Sequence, residues 1–156
     1  MRLSPATTLV LMLALLLWAC AQDIYQQRAS TMKTHARSFY EYLEADRVTA
    51  AVFENEQIEA MARDMEAGIR RRAHEPGANL VDRDWMQVKT ANETAAENWL
   101  ALAKYFVLKK QYEQARGTYQ RILATYTGPA YQTYTDRAKI GLQDVEMILS
   151  PSKGPS

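Results

Sequence analysis

The sequence predicts an all-α protein assembled from antiparallel helical hairpins. Two features carry that expectation. Apolar residues recur at alternating spacings of three and four in several separate stretches, the period of a helix with one buried face. No stretch shows the strict alternation of a half-buried strand. Composition agrees: with 47% hydrophobic and 24% charged residues in 156, the chain is too apolar and too regularly patterned to stay disordered.

The first element is a leader. Met1-Arg2 gives a short cationic start, and Leu9 to Ala19 is an unbroken apolar run with small Ala19 at its end. This is the secretory pattern, and the run is shorter than the roughly 20 residues a membrane-spanning helix needs. Polar sequence follows at once (Gln22, Asp23, Gln26, Gln27, Arg28), without a stop-transfer cluster of cations. Cys20 is the only cysteine, and an unpaired cysteine in an exported chain needs a chemical role. Leu17-Trp18-Ala19-Cys20 resembles the lipobox of bacterial lipoproteins, with Trp18 where a smaller residue is usual. The resemblance implies that residues 1–19 are a signal peptide and that Cys20 carries the diacylglyceryl group. Two or more acyl chains anchor a protein stably. It also implies, through Ala21 in place of an inner-membrane-retaining aspartate, an outer-membrane location facing the periplasm. An ordinary cleaved leader with a leftover cysteine, or an uncleaved anchor, are the alternatives.

The part after the leader, about 137 residues, suits one domain with a modest core. Tyr25, Ala29, Met32, Ala36, Phe39 and Leu43 form a first stripe, and Val48, Ala51, Asn55, Ile58, Ala62, Met65 and Ile69 a second. The phase breaks between them, since continuing the first stripe would place Asp46 in the core. A tight turn is therefore expected at Ala45-Asp46-Arg47, giving a hairpin. No Gly or Pro marks that turn, so one kinked helix is the alternative, and an uninterrupted helix over 23–72 would make the region a coiled-coil spacer. Asn55 either fixes register through a buried partner or sits at the edge of its stripe.

His74 to Arg83 is the clearest break, because Pro76 and Gly77 stop a helix and Asn79 suits a turn. Asp82 or Asp84 then offers an N-cap for a helix starting near Trp85 and running to about Lys110. Gly128-Pro129 marks the next break. The final helix shows Tyr134, Ala138, Gly141, Leu142, Val145, Ile148 and Leu149 on one face, and residues 151–156 form a polar tail expected to be disordered.

Residues 96–129 resemble a tetratricopeptide repeat, the helix–turn–helix unit of about 34 residues. Trp99, Leu102, Ala103 and Phe106 fit its first helix, with alanine and phenylalanine standing for the usual glycine and tyrosine, and Ala115 and Tyr119 fit its second. The closing proline departs from the pattern: Thr127 holds its place and Pro129 comes two residues later. A single repeat cannot bury its faces alone, so flanking and capping helices within residues 20–150 must cover it, or a partner must.

Chemistry is sparse. Lys and Arg number 19 against 18 Asp and Glu, and Arg2 lies in the leader, so the mature chain is formally neutral. That balance argues against a nucleic-acid binder. No phosphate loop, HExxH, GxSxG or cysteine-based metal pattern occurs. His35 and His74 read as surface residues, and Glu41/Glu44 and Asp64/Glu66 as acids on solvated faces. Arg70-Arg71-Arg72 reads as cations complementing a helix C-terminus, with an anionic surface or acidic partner as the alternative. The expectation is no catalytic residue, cofactor, metal or small-molecule substrate. Tyr112, Tyr126, Tyr131 and Tyr134 are the candidate partner-binding groove, because amphipathic aromatics suit peptide recognition. The functional expectation is a lipid-anchored, non-enzymatic scaffold or adaptor. The alternatives are an accessory subunit of a secretion, pilus or outer-membrane assembly machine, similar to pilotin-type lipoproteins, and an envelope enzyme such as a peptidoglycan hydrolase.

Overall fold

The helical periodicities appear as five α-helices in a computed structural model, which describes residues 5–72 and 81–150, with side chains from Ile24 to Arg72 and from Asp82 to Ser150. They are α1 Pro5–Glu44, α2 Val48–Arg72, α3 Val81–Leu108, α4 Tyr112–Thr125 and α5 Gln132–Leu149, with a 3₁₀ turn at Pro129–Tyr131. No strand occurs among the described residues. The chain divides into two compact units, Met1–Thr34 and His35–Ser156. In the first, the chain is helical from Pro5, and the Thr34 hydroxyl donates to the Ser30 carbonyl at 3.0 Å. Residues 1–19, expected to be a leader, and Cys20 lie outside the described side chains. Residues 73–80, with His74, and the tail 151–156 lie outside the described residues altogether.

The second unit is a series of antiparallel helices, each packed on the next: α2 on α3, α3 on α4 and α4 on α5, with α5 also reaching α3. The end of α1 joins α2 through the His35 ring nitrogen and Glu54 at 2.6 Å. So His35 is tied to a carboxylate between two helices and is only partly exposed.

The reversal predicted at 45–47 is a hairpin turn, not a kink. The Arg47 amide donates to Tyr42 O at 2.8 Å and the Asp46 amide to Leu43 O at 3.1 Å, while Asp46 adopts φ 59°. This is a Schellman termination, which satisfies the orphan carbonyls of α1 and needs a left-handed residue after the helix. The same turn closes α3. The Gln111 amide donates to Phe106 O at 2.8 Å, the Lys110 amide to Val107 O at 3.0 Å, and Lys110 has φ 58°. Ala51 follows Asp46, and Ala115 follows Lys110, at the same interval, and both alanines are fully buried. Two hairpins of one design thus stand side by side. The reversal also removes the coiled-coil spacer, which required an unbroken helix.

Neither turn uses glycine, so each holds a side chain in a conformation that costs about 1–2 kcal/mol. Asp46 offsets this with contacts of its own: it accepts from the Tyr105 hydroxyl and from Lys109 at 3.3 Å. Lys110 makes no such contact among the described residues. Lys110→Gly is therefore expected to raise unfolding stability by about 1 kcal/mol, read as a higher midpoint in urea with an unchanged slope.

The core follows the second predicted stripe closely and the first only in part. Tyr25, Phe39 and Leu43 from the first are buried, as are Ala51, Asn55, Ile58, Ala62, Met65 and Ile69 from the second, whereas Met32, Ala36 and Val48 are half-buried and Ala29 is exposed. All six repeat-packing residues, Trp99, Leu102, Ala103, Phe106, Ala115 and Tyr119, are buried between α3 and its neighbours. Asn55 takes the register role: its amide donates to Ala95 O at 3.1 Å, and it accepts from Asn98 Nδ2 at 2.9 Å. A one-turn slip of α2 along α3 would leave these buried amides unpaired, at about 1–3 kcal/mol each.

Two expectations are corrected. Helix α3 begins at Val81, ahead of the predicted start near Trp85, so Asp82 and Asp84 lie inside its first turn instead of capping it. Asp84 is buried and pairs with Arg72 at 2.5 Å, and its charge complements the positive end of α3. Ile148 does not join the buried face of α5 and is 53% exposed, whereas Ala138 and Val145 are buried. Ile148 lies about a sixth of a turn round the helix from Val145, on the flank of the line through those two.

Candidate functional site

A buried carboxylate organises the middle of the hairpins. Glu59, on α2, is 6% exposed. Its Oε1 accepts from the Trp99 indole nitrogen on α3 at 2.8 Å and from the Tyr126 hydroxyl, just beyond α4, also at 2.8 Å. Its Oε2 accepts from Arg121 of α4 at 2.9 Å. Arg121 lies over the Trp99 ring, 3.9 Å from its centroid, and reaches Glu56 at 3.3 Å. Burial first, and then the charge of Glu59, pushes the Tyr126 phenol far above the usual tyrosine range, so it stays a neutral donor.

The outer side of Tyr126 forms part of a cleft. Gly128 is extended, Pro129 opens the 3₁₀ turn, and the Tyr131 amide closes it on Gly128 O at 2.9 Å. This corner swings Tyr131 back against Tyr126, with ring centroids 5.6 Å apart and planes at 70°. Asn92 of α3 donates to the Tyr131 hydroxyl at 3.0 Å and fixes that ring from the other side. Trp85 and Val88, from the first turns of α3, supply the remaining apolar wall, with Glu66, Lys89, Thr125 and Ala130 around the rim. The concavity holds about 530 Å³. Trp85 is 40% exposed, an unusual cost for an indole unless something covers it.

The rim charges are engaged locally: Glu66 with Arg70 at 2.6 Å and Lys89 with Glu93 at 3.8 Å. Arg71, the middle member of the arginine run, is exposed, while Arg70 and Arg72 both sit in ion pairs. What the cleft offers a visitor is therefore an aromatic socket with hydroxyl and amide groups at its edge, held from behind by Glu59.

The four candidate groove tyrosines do not share one groove. Tyr126 and Tyr131 meet in this cleft, with Tyr126 almost wholly buried. Tyr134 faces a second, shallower concavity of about 330 Å³ with Tyr40, Ala36, Thr90, Glu93, Thr94, Glu97 and Asn98. There Arg137 grips Glu97 through two bonds of 2.5 and 2.7 Å, which hold the Glu97 carboxyl below its ordinary range against the opposing effect of burial. Burial, aided by Glu97, raises the Tyr40 phenol. Tyr112 opens α4 and lines neither concavity. The sequence reading missed Trp85, which it took only as a helix start, and Glu59, which carries no motif.

Among the described residues, no three His, Cys, Asp or Glu side chains gather as a metal-holding group, and no helix is long and apolar enough to cross a membrane. The chain matches no protein-family model, no curated protein and no solved structure.

Proposed function

We propose that the protein is a lipid-anchored adaptor of the cell envelope that grips a protein partner through the cleft of Trp85, Tyr126 and Tyr131. The observation that carries the binding half is the half-exposed indole beside two braced tyrosine rings. Aromatic anchors in a pre-organised socket are the usual source of binding energy at protein interfaces. The anchoring half rests on Leu17-Trp18-Ala19-Cys20 and the leader before it. Residue Ala21 favours the outer membrane, with the helical unit facing the periplasm. Burial of all six residues that resemble a tetratricopeptide repeat supports reading residues 96–129 as such a unit. The cleft needs no catalytic residue or cofactor for this role. An accessory, pilotin-like subunit is the more specific form of the same reading, since it too combines a lipobox with helical hairpins.

Two measurements test the halves separately. Cys20→Ser should abolish incorporation of radiolabelled palmitate, and continued labelling would remove the anchor. After crosslinking in intact membranes, the native protein should carry an envelope partner that the Trp85→Ala/Tyr131→Ala variant loses by about tenfold or more. Recovery of the same partner at wild-type yield, from a variant with unchanged melting temperature, would remove the cleft.

A further inference from the structure

The outward side of α5 carries a stripe that its own fold leaves uncovered. Ile140, Met147 and Ile148 are 61%, 69% and 53% exposed, although all three are large and apolar. Their spacing puts Ile140 and Met147 on one line along the helix, with Ile148 beside them. The opposite side of α5, through Ala138 and Val145, is the one packed inward. A hairpin array normally ends on a polar face, because an apolar end invites association. Here α5 leaves three large apolar side chains exposed among its outward charges.

The charges on this face say what covers it. Asp144 stands within the stripe between Ile140 and Ile148, and Asp136 stands one turn before Ile140. Asp136 has an exposed Lys139 at 3.1 Å, but among the described residues no cation lies within ion-pair distance of Asp144 or Glu146. Glu146 lies in the last turn of α5, where the helix's carbonyl end disfavours a carboxylate, and no Lys or Arg stands there to compensate. These carboxylates do not serve the stability of α5. They stand beside the exposed apolar side chains of the same face.

We infer that this face of α5 docks an amphipathic helix of a partner protein, with apolar residues seated on Ile140, Met147 and Ile148 and Lys or Arg residues facing Asp144 and Glu146. A groove-bound helix seats anchors three, four and seven residues apart, and Ile140 and Met147 stand seven apart. Charge selects the partner: an acidic amphipathic helix, or a second copy of α5 with its own Asp144, would place like charges together. The surface lies toward the far end of α5 from Tyr131, so it is independent of the cleft proposed above. Both surfaces occupied at once would make the protein a bridge between two partners.

The probe is a synthetic amphipathic helix with Leu at heptad-like spacing and Lys on its flanks, tested against the same peptide with Glu for Lys. The full chain is used in non-ionic detergent, with peptide anisotropy and amide hydrogen exchange as readouts. The Lys peptide should bind and protect residues 140–148, and the Glu peptide should bind at least about tenfold more weakly. Asp144→Lys/Glu146→Lys should weaken the Lys peptide by about tenfold, and Ile140→Ser/Met147→Ser by at least as much. Melting temperatures should stay unchanged, because these side chains are exposed. Equal affinity for the charge-reversed variant, or protection confined to residues 85–92, would overturn the proposal. So would sedimentation as a dimer that Ile140→Glu converts to monomer, which would assign the face to a second copy.

Discussion

Replacing Glu59 by alanine is expected to destabilise the helical unit by about 3 kcal/mol, among the largest effects any single substitution here should have. Three donors converge on this one side chain from two other helices and the turn after α4. Removing it strands the Trp99 N–H and the Tyr126 O–H, each buried without an acceptor at about 1–3 kcal/mol. Arg121 contributes less to the loss, since its guanidinium is partly exposed and can return to water. Glu59→Gln should cost less, about 1–2 kcal/mol, because one amide oxygen can still accept from Trp99 and Tyr126 while the amide nitrogen opposes Arg121. Urea unfolding measures both. Equal stability of Glu59→Ala and the parent would show that the network is not a structural centre.

The same network sets an alkaline limit. The Tyr126 phenol is raised in the fold, by burial first and by Glu59 second. A group whose folded pKa exceeds its unfolded value stabilises fully below the unfolded value, near pH 10 for tyrosine, and that contribution falls as pH rises further. The Glu59-centred unit should therefore lose stability progressively above about pH 10, and Tyr126→Phe should remove this tyrosine's share of the slope.

Gly141→Leu is expected to have an effect of similar size, about 3 kcal/mol, for the opposite reason: excess volume. A β-carbon built on Gly141 would lie 2.3 Å from Tyr119 Cζ and 2.6 Å from its hydroxyl oxygen. Tyr119 is buried on α4, so its ring must shift within the packed interior to admit a side chain at Gly141. Glycine in mid-helix costs about 1 kcal/mol against alanine, and here that cost admits the ring. Gly141→Ala should be milder, because its gain in helix propensity opposes the clash. Tyr119→Ala should be destabilising alone yet should tolerate Gly141→Leu, giving a strongly non-additive double-mutant cycle. Additivity would show that the two residues do not share the contact.

Both effects involve residues whose importance was only partly legible. Tyr119 was placed in the repeat-like second helix and Gly141 on the apolar face of the final helix, but no spacing rule says that one ring enters the gap left by the other. Glu59 was invisible: it lies next to Ile58 on α2, and an acid at the edge of a stripe reads as a solvated charge until three donors from distant sequence converge on it. Asn55 was the converse case. Its position on the stripe suggested a register role, and Ala95 and Asn98 supply the partners.

Of the four candidate tyrosines, the structure brings together only the two that are local in sequence. Tyr126 and Tyr131 straddle Gly128-Pro129, so a short corner brings them together. Tyr134 lies only one turn of α5 further on, yet it faces the other side of α3, and Tyr112 sits at the far end of α4. Helical phase separates residues that a list of tyrosines groups. Trp85 entered the site from a helix whose start had been placed too late, because Asp82 and Asp84 resemble caps and their burial state is not readable from residue type.

The sequence by itself determined the class and most of the hairpin design. Period-3.6 stripes dictate helices, a phase break dictates a reversal, and large residues alternating with alanine dictate which faces meet. These are local constraints, written in residues a few positions apart. Tertiary structure alone decided which polar side chains the core keeps, which tyrosines share a cleft, and which face of α5 remains uncovered. Each of those depends on how far one helix rotates and slides against another. That choice is made by packing and buried hydrogen bonds between residues tens of positions apart, where sequence spacing carries no phase.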